Sequence, residues 1–225
     1  FKSYFSTSDG KLIQYTEEIL KSITEDIKKE KPNFLILPGD LTTNGDKKSH
    51  IELSQFLVEI EKLGTSVFVV PGNHDIKNPW AREFVQSEAI KTPSISSEEW
   101  KDIYNEFGYA EAISKDKNSV SYLVAPSEYL WILMLDSTIS NDKSKNLYPV
   151  RGGELSKKTL DWISKCSDLA KKNNAHLMAV MHHNLLDHSE IFNNNYTINN
   201  KNEALNIFRE ADIVLALTGH IHIQD

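Results

Sequence analysis

An α/β fold, with strands buried beneath helices, is predicted by three observations. Apolar residues at helical spacing alternate along the chain with short, uniformly apolar runs. Those runs lack the polar alternate residue of a half-exposed strand, so both faces of each are covered. Each run also closes on a Gly-, Pro- or His-containing turn. From the residues alone, the sheet is expected to be largely parallel.

The elements follow in order. Ile19, Leu20, Ile23 and Ile27 form a helical stripe, Lys28 to Lys31 suit a helix C-terminus, and Pro32 blocks continuation before the strand Phe34 to Leu37. That strand ends at Pro38-Gly39-Asp40. A second stripe, Leu53, Phe56, Leu57, Ile60 and Leu63, is stopped by Gly64 and followed by the strand Val67 to Val70, which ends at Pro71-Gly72-Asn73-His74-Asp75. Residues 78–118 are more polar, with Trp80, Trp100 and Phe107 at helix-like spacings, and are expected to form an insertion over one end of the sheet. Residues 119–125 and 129–137 lie close enough for an antiparallel hairpin. A helix over 154–173 precedes the strand Leu177 to Met181, which ends at His182-His183-Asn184. The Asn-rich stretch 193–202 reads as a solvated loop. A last helix leads to the strand Ile213 to Leu217 and then Thr218-Gly219-His220-Ile221-His222. No fixed-period repeat and no linker divides the chain, so residues 1–225 are expected to be one domain.

Composition narrows the function. The 225 residues carry 25 Lys+Arg against 32 Asp+Glu, a formal charge of −7 that repels a nucleic-acid polymer. Cys166 is the one cysteine, which excludes a disulfide framework and a cysteine-held metal cluster. Any bound ion must therefore use nitrogen and oxygen donors. No apolar run approaches the ~20 residues of a membrane span, so a soluble segment without membrane contact is expected. The chain starts at Phe1 rather than Met, which leaves cytoplasmic and exported locations both open.

Four predicted strand ends carry the chemistry: Asp40; Asn73 with His74 and Asp75; His182 with His183; His220 with His222. The crevice outside the carboxyl ends of α/β strands is where ligands bind, so these distant residues are expected to converge. Singly, each has an ordinary reading. A Gly-Asp pair is commonly a turn, and paired histidines are often packed or solvated. His220 and His222 project to one side of an extended segment, however, and Gly219 allows close backbone approach. Four such ends together favour a site.

The ordered set Gly39-Asp40, Gly72-Asn73-His74-Asp75, His182-His183 and Gly219-His220-Ile221-His222 resembles the calcineurin-like metallophosphoesterase family, whose motifs run D-x-H, G-D, G-N-H-[DE], H and G-H-x-H around a dinuclear metal centre. The likeness spans residues 39–222. Its wording is closest to bacterial members that resemble cyclic-nucleotide phosphodiesterases. The resemblance implies a layered mixed β-sheet core covered by helices. It implies Asp40 as the carboxylate shared by two ions, Asn73, His182 and His220 completing one metal site, and His222 contributing to the other. His74 is implied as a hydrogen-bond or proton donor oriented by Asp75. His183 and Asn184, beside a ligand, are substrate-contact candidates, with Asp136, Asn78, Trp80 and Arg82 as further pocket candidates. His176 and His188 are read as ordinary histidines and His50 as a surface one.

The implied function is metal-dependent hydrolysis of phosphoesters, above all phosphodiesters such as cyclic nucleotides, by attack of a hydroxide bridging two divalent ions. Several imidazole ligands favour Mn, Fe or Zn over Ca. The expected partner is a small phosphoester, a nucleotide among the candidates. Two alternatives stand beside it: a catalytically silent metal- or nucleotide-binding module of the same fold, and a nuclease, which the absence of a dense Lys/Arg stripe disfavours. The pattern departs from the family at D-x-H. Asp9 sits at a suitable distance before Asp40, but Lys11 occupies the His position and Ser8-Asp9-Gly10 is turn chemistry. The first strand and the later strands are therefore expected to lie outside this segment, which by itself would hold at most one tightly bound metal.

Overall fold

The computed structural model describes residues 15–85, 88–139, 148–188 and 195–222. Helix α1 (Thr16–Glu30) ends where Lys31 turns left-handed and Pro32 follows, and the chain enters β1 (Phe34–Leu37). Helix α2 (Lys47–Glu61) starts at Asp46, whose carboxylate accepts the Ser49 N–H, and returns the chain to β2 (Ser66–Val69), parallel to β1. Strands β3 (Arg82–Val85) and β4 (Glu88–Lys91) form an antiparallel hairpin. Helix α3 (Ser97–Ile103), closed by a Ser96/Glu99 capping box, runs into a kinked turn at Asn105–Tyr109.

The second sheet has the order β5 (Ser114–Lys115), β6 (Tyr122–Val124), β7 (Leu130–Leu135), β8 (His176–Met181), β9 (Ala216–Leu217). Its first three strands are antiparallel and its last three parallel, with α4 (Lys157–Lys172) and α5 (Lys201–Glu210) as the crossovers. The sheet is thus mixed rather than largely parallel. The connection from β6 to β7 is too short for a crossover, and only an antiparallel return fits.

Alternation along these strands sets the layers. Tyr122, Val124, Ile132, Met134, Met178 and Val180 join the β2 side chains together with Leu57 and Ile60 in one core. Leu123, Leu133, Leu135, Leu177, Ala179 and Met181 face the other way, onto Leu160, Ile163 and Cys166 of α4 and Ala204 and Phe208 of α5. This double-sided burial, about 1.5–3 kcal/mol for each large side chain, is why the β7 sequence has no polar alternate.

Three expectations are corrected. Of the first stripe only Ile27 is buried, while Ile19 and Ile23 stay exposed. The stretch 78–118 is not simply an overlay, because Trp100, Tyr104, Phe107 and Tyr109 are fully enclosed in the first core. Trp100 Nε1–H donates to the Tyr109 hydroxyl, which donates to the Val120 carbonyl, so both polar handles are satisfied inside. The Asn-rich stretch, within its described part, folds back onto the strand-end loops with Thr197 and Ile198 buried. Asp9 and Lys11 lie outside the described residues. Among those described, no helix is long and apolar enough to cross a membrane.

Candidate metal centre

The carboxyl-end loops of β1, β2, β8 and β9 are tied together by hydrogen bonds that cross from sheet to sheet. His182 Nδ1–H donates to the Pro38 carbonyl at 2.9 Å, and Gly219 N–H donates to the His182 carbonyl at 3.0 Å. Around His182 Nε2, buried to 1% exposure, lie Asp40 Oδ1 at 3.4 Å, Asn73 Oδ1 at 3.2 Å and His220 Nδ1 at 3.1 Å. The second nitrogen of His220 is also engaged outward, donating to the Asn195 carbonyl at 2.9 Å. With those N–H groups on backbone carbonyls, both imidazoles turn their other nitrogen inward, beside a carboxylate and an amide oxygen. The His74 backbone N–H also donates to Asp40 Oδ1, at 3.1 Å. The side-chain atoms that meet here are of the kinds that ligate a cation, and outward N–H bonds of this kind fix the ligating tautomer. Asp40, His182 and His220 form the group of three metal-capable side chains found among the described residues, with donor atoms within 4.8 Å of one another.

Backbone geometry presents these donors. Asp40, His220 and His222 all have φ in the left-handed region, at 54°, 73° and 55°. Gly72 permits the closest approach, since a Cβ there would lie 2.2 Å from both Asp40 N and Asp40 Oδ1. Asp75 is fully buried and works as a clamp: its Oδ2 accepts Gly72 N–H and Leu41 N–H, and its Oδ1 accepts Thr42 N–H and the Thr42 hydroxyl. It thereby holds the loops after β1 and β2 together. Burial, then the charge of Asp40, pushes its pKa up to about 6 against those hydrogen bonds. For Asp40 burial acts upward, but the His182 hydrogen bond and charge outweigh it and keep the carboxyl well below the usual range. Burial, reinforced by His182, lowers His220 to about 4.

Residues 11–224 match the sequence profile of the calcineurin-like phosphoesterase family. The chain belongs to that family. A crystal structure of a dimetal phosphatase from Danio rerio superposes with a TM-score of 0.64 at 12% identity, over 92% of this chain and 72% of that one, and shows the same fold. No curated protein sequence matches the chain. As a calcineurin-like phosphoesterase it is a metal-dependent hydrolase of phosphoesters, and the donor set around His182 suits a divalent cation.

Within this calcineurin-like phosphoesterase the other expected residues take varied places. His222 is exposed and stands apart from the His182 cluster, but it lines with Asp40, Leu41, Thr42 and Arg82 a groove of about 620 Å³. The Arg82 guanidinium donates to the Ala81 carbonyl. His74 is half-buried, and its Nδ1–H donates to the Thr43 carbonyl at 2.7 Å, so Thr43 orients the ring and Asp75 does not. The Asp75 oxygens are already taken by four other donors. Asn78 is a staple: its amide donates to the His74 carbonyl and its oxygen accepts Trp80 N–H. Asp136, raised by burial, accepts from the Thr138 N–H and hydroxyl in a separate polar cavity of about 350 Å³ that reaches Asn73.

His183 and Asn184 occupy scaffold positions instead of the expected substrate face. His183 is wholly buried, receives the Ser137 hydroxyl at Nδ1 and donates from Nε2 to the Arg151 carbonyl. Burial, then the charges of His182 and His220, lowers its pKa to about 3. The buried Asn184 accepts from the Thr218 hydroxyl, while its Nδ2 has no hydrogen-bond partner among the described residues. His50 is not at the surface but completely enclosed. It donates from Nε2 to the Asp75 carbonyl and accepts the Tyr104 hydroxyl at Nδ1. Thr43, Pro38 and Asn195 were not singled out in the sequence. They act through backbone carbonyls, which side-chain identity does not report.

Proposed function

We propose that the chain hydrolyses phosphodiesters, cyclic nucleotides among them, at the rim formed by Asp40, Asn73, His74, His182, His220 and His222. The observation that supports this most is the convergence of Asp40 Oδ1, Asn73 Oδ1 and His220 Nδ1 on His182 Nε2, with Asp40 held as an anion among them. Asp40, Asn73, His182 and His220 would hold one divalent cation, with Mn, Fe or Zn favoured by the imidazoles, and Asp40 with His222 would contribute to a second. When bound, such cations supply Lewis acidity, lowering the pKa of water and neutralising phosphoryl oxygens.

The chain's own residues do the rest. The Pro38 and Asn195 carbonyls hold the His182 and His220 rings with Nε2 and Nδ1, respectively, turned inward. His74, fixed at Nδ1 by Thr43, has Nε2 as the atom that would meet the departing oxygen. General acid catalysis of this kind is worth about 10²–10⁴-fold. The charge of −7 favours a small phosphoester over a polyanion.

The test is hydrolysis of bis(p-nitrophenyl) phosphate with added Mn²⁺, wild type against Asp40→Asn. The variant is expected to lose more than the about 10–100-fold typical of groups that merely orient a ligand. Equal rates for the two proteins remove Asp40 from the reaction and this reading with it. Turnover of cyclic nucleotides above that of phosphomonoesters is expected in the same assay, and the reverse order contradicts the diester assignment.

A further inference from the structure

Beside His74 opens a cavity of about 230 Å³ whose walls are Asn73, Trp80, Tyr148, Pro149 and Arg151. It is smaller than the about 300–1,000 Å³ of a pocket that encloses a whole ligand, and suits a single flat group. Trp80 and Tyr148 meet edge to face, with ring centroids 5.9 Å apart at 76°, yet they stay 38% and 68% exposed. Two large rings paired in the open, next to the candidate proton donor, differ from scattered surface hydrophobes.

Both walls are anchored to the strand-end loops. Trp80 N–H donates to Asn78, whose amide in turn holds the His74 carbonyl. On the other side the Arg151 carbonyl accepts from the buried His183, against which Gly153 packs so closely that a Cβ there would lie 2.4 Å from His183 Cγ. The Trp80 and Arg151 backbones are thus held in place, which limits the entropy lost when a ligand enters. Arg151 is exposed and adds a planar cation able to stack on a ring or face an anion.

We propose that this cavity is the subsite for the planar aromatic group of the ester, with Trp80 and Tyr148 as binding residues and the phosphorus lying toward Asn73 and His74. The proposal rests on the phosphoesterase reading of the rim and adds a substrate class: phosphoesters that carry a nucleobase or an aryl group.

Calorimetric titration of the Mn²⁺-supplemented protein with AMP and with ribose 5-phosphate separates the base from the phosphate. AMP is expected to bind about 5–100-fold more tightly, the worth of one base–aromatic stack. The double substitution Trp80→Leu, Tyr148→Ser is expected to bring AMP down to the affinity of ribose 5-phosphate, and Trp80→Phe to keep most of the preference. Phenyl phosphate against methyl phosphate repeats the comparison for a simple ring, and a preference there alone assigns the subsite to aryl esters. No preference for either aromatic ester in the wild type, or one that survives the double substitution, overturns the proposal. The phosphoesterase reading is decided separately, by Asp40→Asn.

Discussion

Gly72→Ala places a single carbon where Asp40 already sits. The added Cβ would lie 2.2 Å from the Asp40 nitrogen, 2.2 Å from its Oδ1 and 2.8 Å from its Cγ. Non-bonded heavy atoms settle at about 3.5–4.0 Å, so residue 72 or residue 40 has to give way by about 1 Å. The obstructing atoms are backbone and a held carboxylate, not the end of a flexible side chain. Strain of this kind costs about 1–3 kcal/mol, which at about 2–4 °C per kcal/mol for a chain of this size lowers Tm by roughly 2–12 °C. A displacement of about 1 Å at a reacting centre costs on the order of 10²-fold in rate. Calorimetry with and without Mn²⁺, Mn²⁺ titration and hydrolysis of bis(p-nitrophenyl) phosphate read the three effects. Gly152→Ala is the control, because the nearest atom to its added carbon, Asn195 Oδ1, is 3.5 Å away. If Gly72→Ala keeps the wild-type Tm, Mn²⁺ affinity and rate, Asp40 is not positioned by the space at residue 72.

His74→Gln is expected to lower kcat by about 10²–10⁴-fold while leaving Mn²⁺ affinity unchanged and stability within about 0.5 kcal/mol, since the ring makes its hydrogen bond at the half-buried edge of the site; loss of Mn²⁺ binding in that variant places His74 among the ligands instead. His50 gives a pH signature. Burial lowers its pKa to about 4, so between pH 6.5 and 4 the unfolded chain takes up a proton that the folded one refuses. The stability from neutral His50 is complete above pH 6.5 and falls by about 2 kcal/mol on going to pH 5. Asp75, raised to about 6, contributes the opposite slope, so the readout is the difference between wild type and His50→Gln in urea unfolding at pH 7 and pH 5. Parallel curves for the two proteins contradict the buried, neutral His50.

The strands and the convergence of their ends were legible because they rest on side-chain chemistry: an apolar run buried on both faces, or Asp, Asn and His after a strand. The family motifs brought together Asp40, Asn73, His182 and His220 as anticipated, and His222 onto the same groove as Asp40. What the residues did not disclose depends on partners distant in sequence. His50 looks like a surface residue in a helix rich in Lys and Glu, yet the Asp75 carbonyl and the Tyr104 hydroxyl satisfy it inside. His183 adjoins a ligand in sequence but points to Ser137 and Arg151, because adjacent positions beyond a strand end face different ways. The orientation of His74 by Thr43 was invisible for a simpler reason, since any residue at 43 has a carbonyl.

The left-handed backbone at Asp40, His220 and His222 sets robustness against turnover. An L-residue in that conformation is disfavoured by about 1–2 kcal/mol, a strain that glycine would relieve. Glycine, however, carries no oxygen or nitrogen to offer a cation. Laboratory selection for heat tolerance and selection for catalysis therefore pull these three positions toward different residues, and a hardened variant that keeps its chemistry has to find its gains in the helical layers, away from the rim.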